Sequence, residues 1–183
     1  LDTYADVKRA GINPLIHYLK YGKAEGRSTR LKYKCPVCSR MNNGFLPVNS
    51  DYQENRSKFG YPFSFDDHET INPNQFTCPS CGATDRDRLY ALYIAKALDT
   101  NSFPDGFALL DIAPSLALQG FLLKFANIKY QSADKYVEGV DLALDITDMN
   151  QVPSGSYDIF ICSHVLEHVT DDRKALSELF RVL

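Results

Sequence analysis

Two Cys-x-x-Cys pairs, three aspartates at the ends of expected strands, and a His-x-x-Glu-His turn are the groups in this chain placed to do chemistry. Cys35-Pro36-Val37-Cys38 and Cys78-Pro79-Ser80-Cys81-Gly82 each form a tight knuckle whose two thiolates can meet one ion. Two knuckles complete a tetrahedral four-thiolate site suited to zinc, and four thiolates leave no open position, so the expected zinc is structural. Free thiols or redox-active pairs are the alternative reading. Residues 39–77 between the knuckles carry Phe45, Tyr52, Phe59, Tyr61, Phe63 and Phe65, which could build a small sheet around the metal. His68 could replace a ligand, although four cysteines make that unnecessary.

The acids Asp111, Asp134 and Asp145 each close an expected strand, and His164 follows Ile159–Ser163. Polar groups released at the carboxyl ends of buried parallel strands are where open α/β sheets place their ligands. Asp134 lies 23 residues after Asp111 (134 − 111), near the separation at which a nucleotide-binding unit sets its ribose-binding acid. A solvated loop position or a helix cap is the alternative for each acid taken singly.

These groups need elements to hold them. Phe107–Ala113, Lys129–Asp134, Asp141–Ile146 and Ile159–Ser163 read as strands, with Leu116–Phe125 as the first crossover helix. Thr170 is the expected cap of a last helix with Asp171 and Asp172 in its first turn, and Leu176, Leu179, Phe180 and Leu183 are its expected core face. Thr84 and Asp87 suggest a capping box opening a helix to Leu98, with Leu89, Leu92, Tyr93 and Ala97 on one face. Arg86 and Arg88 sit in its first turn, where the dipole disfavours cations, and a surface position is the simpler expectation. At the start, Asn13 would cap a short helix with Pro14 at its first position; Leu15, Ile16, Tyr18 and Leu19 supply an apolar face, and Gly22 ends it. The expected organisation is a helical preface and linker over 1–30, a zinc ribbon over 31–84 and a Rossmann-like domain over 85–183.

Composition excludes several classes. The 183 residues are 44% hydrophobic and 23% charged, as in ordinary globular proteins. A net charge of −3 gives no general drive toward nucleic acid. No apolar run is long enough to span a membrane, and no signal peptide opens the sequence. Paired cysteines point to metal in a reducing compartment, here the cytoplasm, rather than to a disulfide scaffold.

Leu110-Asp111-Ile112-Ala113-Pro114-Ser115, Ser132-Ala133-Asp134, Asp145-Ile146 and Tyr157–Val169, in that order, resemble the successive motifs of class I S-adenosylmethionine-dependent methyltransferases, of the type 11 kind. The paired knuckles and Arg86-Asp87-Arg88 ahead of them are similar to a subset of these enzymes with an amino-terminal zinc ribbon. The resemblance covers about residues 33–183 and implies an α/β fold with a Rossmann-like parallel sheet, S-adenosylmethionine as cofactor, and methyl transfer to a small-molecule or glycan acceptor. It implies cofactor contacts at Asp111, Ala113, Ser115, Asp134, Asp145, Ile146 and Ser163, with the acid of the second motif on the ribose and that of the third near the adenine. His164 would line the acceptor side, as a candidate base. Two departures stand out. Ala113-Pro114-Ser115 replaces the usual glycine-rich turn, and about four of the family's seven strands are present. The expectation is a carboxyl-terminally truncated fold whose sheet edge is covered in a homo-oligomer or a longer parent chain. Separately, Asn13–Arg27 resembles short helical segments that flank glycosyltransferase domains, which makes a saccharide or other cell-envelope metabolite the expected acceptor.

Three rivals remain open on sequence grounds. His164-Val165-Leu166-Glu167-His168 fits the H-x-x-E-H pattern of inverted zinc peptidases. A nicotinamide cofactor would use Asp134 in the same way. A zinc-ribbon binding module on a degenerate, non-catalytic nucleotide fold is the third.

Overall fold

A computed structural model describes residues 7, 9, 11, 14–25, 32–63, 71–100 and 102–183. Asn13, Phe65, His68 and the end of the expected linker lie outside these. The chain divides into two compact units, Leu1–Tyr90 and Ala91–Leu183.

In the first unit, α1 (Pro14–His17) runs into a π-helical turn at Tyr18–Gly22. Ile16 and Leu19, expected to face a core, are exposed. Strands β1 (Tyr33–Lys34) and β2 (Met41–Asn42) pair antiparallel and frame the first knuckle. Helix α2 (Ser50–Lys58) follows, capped by the Asn49 side chain. Helix α3 (Asp85–Asp99), whose residues from Ala91 on belong to the second unit, opens with the capping box expected from its sequence. The Thr84 amide donates to Asp87 Oδ2 at 2.8 Å, and the Asp87 amide donates back to Thr84 Oγ1 at 3.3 Å.

The face α3 buries differs from the expected one. Asp87, Arg88, Ala91 and Ile94 are buried, while Leu89, Leu92 and Tyr93 are exposed. Arg88 is not a surface residue: its guanidinium donates to the carbonyls of Gln75 (2.6 Å), Phe76 (2.8 Å) and Ala83 (3.2 Å) and stacks over the Phe45 ring. A buried cation is tolerated because those carbonyls solvate it in place of water.

The second unit holds a four-stranded, all-parallel sheet: β3 (Phe107–Ile112), β4 (Ile128–Asp134), β5 (Leu142–Ala143) and β6 (Ile159–Cys162), in the spatial order β5-β4-β3-β6. The expected Rossmann-like α/β architecture is present. Alternation sorts the central strand. Leu110 and Ile112 join Ala133, Leu144, Ile146 and Met149 in one core, closed by Ala175, Leu179 and Val182 of α5 (Asp172–Val182). Phe107, Leu109 and Asp111 belong to the other face, and α4 (Leu116–Leu122) contributes the buried Leu118, Phe121 and Leu122. Strand β6 has β3 on one side only among the described residues, and only Ile161 of its four residues is buried. An edge strand is thus half covered, where continuous burial was expected. Helix α5 departs in two ways. Its cap is Asp171, accepting from the Lys174 amide at 2.9 Å, and not Thr170. Its core row is Ala175, Leu179 and Val182, leaving Leu176, Phe180 and Leu183 exposed.

Two links fasten the sheet to its surroundings. Gly106 has φ +83° at the entry to β3, and a Cβ there would meet the Asn127 carbonyl oxygen at 2.1 Å. Arg181 of α5 donates to the carbonyls of Met149 and Val152, both at 2.8 Å, tying the helix to the loop before β6.

Candidate cofactor cleft and cysteine cluster

Register aligns the strand ends. Ile112 sits opposite Ala133 on one side and Cys162 on the other, so Ala113, Asp134 and Ser163 share the next level along the sheet. The order β5-β4-β3-β6 reverses direction between β3 and β6, which is the switch point where such sheets bind ligands. A cleft of about 280 Å³ opens there, its walls formed by Ile112, Ala113, Asp134 to Tyr136, Leu144 to Thr147, His164, Val165 and His168 to Thr170.

Ala113, Asp134, Asp145, Ile146 and His164 of the expected site residues therefore come together on one cleft. Asp111, Ser115 and Ser163 are not among its walls. Asp111 is fully buried on the far side of β3 and accepts a hydrogen bond from Tyr130 Oη at 3.0 Å. Burial, followed by the Asp111 charge, pushes the Tyr130 phenol well above its ordinary range. The Ser115 hydroxyl caps α4, accepting from the Leu118 amide at 3.2 Å. Ala113 has φ +55°, the left-handed region that favours glycine. The glycine of the motif is absent, but the turn it serves is retained.

The acids are held differently. Asp134 Oδ1 accepts from the amides of Tyr136 (2.7 Å) and Val137 (2.9 Å), so its carboxylate is fixed by the turn that follows it. Asp145 accepts from the Thr147 amide (2.9 Å) and hydroxyl (2.7 Å) and pairs with Lys135 Nζ at 2.8 Å. The Lys135 ammonium, with Thr147, holds the Asp145 carboxyl down to about 2. Asp141 lies off the cleft and binds the Ser132 amide and hydroxyl at 2.8 and 2.7 Å, bracing β4. Lys135, Tyr136 and Thr147 were not singled out in the sequence; their adjacency to Asp134 and Asp145 was the available signal. His168, read there as part of the loop, also lines the cleft.

His164 follows β6 with φ +58° and places Nδ1 2.8 Å from Glu167 Oε1. Leu166–His168 is a 3₁₀ turn rather than part of a long helix. Among the described residues the group that could hold a metal is the four cysteines, so the H-x-x-E-H segment does not form a peptidase-type metal site.

Residues 112–183 match a family model described as a methyltransferase domain. This part of the chain is similar to a methyltransferase domain. No curated protein and no solved structure matches the chain. A methyltransferase domain of this family uses S-adenosylmethionine, whose activated methyl is the group transferred. The donor set of its cleft fits that molecule: two carboxylates can accept from hydroxyl and amino groups, and Ile112, Leu144, Ile146 and Val165 offer apolar walls. No described helix is long and apolar enough to cross a membrane.

Ahead of the matched residues, the ligating atoms of Cys35, Cys38, Cys78 and Cys81 all lie within 4.8 Å of one another. The Cys35–Cys81 and Cys38–Cys78 sulfurs are 3.9 and 4.0 Å apart. A tetrahedron with zinc–sulfur bonds of about 2.3 Å has edges of about 3.8 Å, whereas a disulfide would need about 2.05 Å. The knuckles repeat one geometry. In each, the first cysteine's amide donates to the carbonyl five residues on (Arg40, Ala83), and the fourth residue on is left-handed (Ser39 φ +60°, Gly82 φ +76°). Burial raises the Cys35 and Cys81 thiols. Burial also acts to raise Cys78, but the amides of Ser80 and Cys81 outweigh it and hold that thiol low. The cluster could hold a metal ion.

Proposed function

We propose that the chain methylates a small-molecule acceptor, a saccharide or other cell-envelope metabolite, using S-adenosylmethionine. The observation that carries this reading is the cleft at the β3–β6 switch point, which lies in the residues matched as a methyltransferase domain. Asp134 would accept from the ribose hydroxyls, and Asp145 and Ile146 would flank the adenine. Ala113 would border the methionine end, with Asp111 and the helix-capping Ser115 supporting the turn from behind. His164 would line the acceptor side. A polar His164 on the cleft wall suits a hydroxylated acceptor, and the likeness of Asn13–Arg27 to glycosyltransferase-flanking helices favours a saccharide.

The sulfur spacing supports zinc as the metal of the cysteine cluster, and thiols kept for a metal support a reducing, cytoplasmic setting. We assign 1–30 to a preface and linker, 31–84 to a zinc ribbon and 85–183 to the methyltransferase domain. The half-covered edge of β6 supports strand pairing with a further copy or with additional chain.

Calorimetric titration with S-adenosylmethionine, with NAD as control, tests the reading. Binding of the former alone is expected, and Asp134→Ala should weaken it about a hundredfold by removing two charge-assisted hydrogen bonds. Equal affinity in a folded Asp134→Ala protein would place the ribose elsewhere.

A further inference from the structure

We propose that Glu167 is a positioning residue for His164, holding the imidazole so that Nε2 acts as base toward an acceptor bearing a weakly acidic hydroxyl. This rests on the methyl-transfer reading above. A carboxylate only accepts hydrogen bonds, so the 2.8 Å contact places the imidazole proton on Nδ1 and leaves the lone pair of the neutral ring on Nε2. Glu167 is fit for this, because its own backbone amide, and then His164, hold its carboxyl below the ordinary range. His164 lines the cleft and Glu167 is not among the lining residues, so the pair reaches from outside the cavity to its wall. The turn between them is anchored: Val165, Leu166 and Val169 pack against the core under β3 and α5. His164, its side chain about half exposed, also adopts φ +58°, a left-handed conformation that few residues other than glycine enter.

The other ionisable groups on the cleft do not offer the same arrangement. Lys135 and Asp145 are paired with each other, Asp134 is fixed by backbone amides, and Tyr136 is largely exposed. His168 lines the cleft and acts on Glu167 only as the last of the causes that lower its carboxyl, behind the hydrogen bond from His164. A neutral amine already carries the lone pair that attacks a methyl group; a hydroxyl at neutral pH attacks well only as its proton leaves. In the transfer, the acceptor oxygen bonds to the methyl carbon as the donor's carbon–sulfur bond breaks. The hydroxyl proton passes to Nε2 and then to water, and the donor leaves as a neutral thioether.

The test combines nitrogen NMR of the histidine-labelled chain with methyl-transfer assays on catechol, methyl α-glucoside and benzylamine. Neutral His164 is expected to carry its proton on Nδ1, and Glu167→Ala should shift the population toward Nε2–H. With a hydroxyl probe, His164→Gln should lower kcat about 100-fold and Glu167→Ala about 10-fold, with KM changing less than about threefold. Glu167→Gln, whose amide oxygen can still accept from Nδ1–H, should restore the tautomer and only part of kcat. An Nε2–H tautomer in the wild-type chain, an unchanged kcat in Glu167→Ala, or no transfer to either hydroxyl probe by protein that binds S-adenosylmethionine overturns the inference. Failure of the wild-type chain to bind S-adenosylmethionine defeats the parent reading instead, and the inference with it.

Discussion

Ala113 carries a backbone angle that its Cβ opposes, with φ +55° at the mouth of the cleft. The left-handed region costs an L-residue about 1 to 2 kcal/mol, and glycine returns about 0.5 to 1 kcal/mol of that as chain entropy. Ala113→Gly should therefore stabilise the protein by about 0.5 to 1 kcal/mol, raising Tm by about 2 to 4 °C per kcal/mol. Calorimetric unfolding would show it, and a lower Tm would mean that the methyl group is packed rather than strained. Asp145 gives a pH prediction. Its folded carboxyl titrates near 2, below the ordinary value of about 3.9, because Lys135 and Thr147 favour the anion. A depressed acid contributes stability that is full above about pH 4 and fades as pH falls toward 2. Carboxyl-carbon NMR should place the midpoint near 2, and Lys135→Ala should move it up toward the ordinary value.

Helices show what a linear reading can and cannot decide. The capping box of α3 was legible because Thr84 and Asp87 carry it in adjacent turns. The buried row of α5 was not. Ala175–Leu179–Val182 and Leu176–Phe180–Leu183 are both apolar at helical spacing, and the second contains the larger side chains. Only the sheet's position chooses between them. Among the cleft residues, Asp145 announced itself by closing an apolar run and Asp134 by its distance from Asp111, whereas Lys135 and Thr147 gained their places from turns that the sequence does not mark. Arg88 was misjudged because its partners are backbone carbonyls, which any residue supplies. Removing the guanidinium takes this donor from the carbonyls of Gln75 and Phe76, while that of Ala83 keeps the Cys78 amide. Arg88→Ala should cost about 2 to 4 kcal/mol, and Arg88→Lys somewhat less, since an ammonium cannot span three carbonyls with a planar fork. Thermal unfolding of the metal-loaded chain measures both; an undestabilised Arg88→Ala protein would contradict the clamp.

Across the whole chain, chemistry and scaffold are divided between the two units: the cleft lies within Ala91–Leu183, the cysteines within Leu1–Tyr90. If the cluster holds zinc as proposed, elemental analysis should return one zinc per chain. Cys38→Ser or a strong chelator should then unfold the first unit, because binding at a structural site is worth on the order of 10 kcal/mol and is coupled to folding. A chain that keeps its near-ultraviolet spectrum and melting profile after complete metal removal would show that the knuckles stand without an ion. The parallel sheet was legible at this scale because three apolar runs and one mixed segment, Lys129–Asp134, end in polar groups. The π-helical turn at Tyr18–Gly22 was not, since its local sequence reads as an ordinary helix.

Cys38 meets Cys78 across 40 residues of chain, and this separation matters while the protein is being made. At about 5 to 20 residues per second, the first pair leaves the ribosome about 2 to 8 seconds before the second. During that interval two thiols are exposed with only half a coordination sphere between them, open to oxidants or to a softer ion than the finished cluster would select. The order in which the chain emerges therefore makes the first knuckle the point at which newly made protein is most easily spoiled.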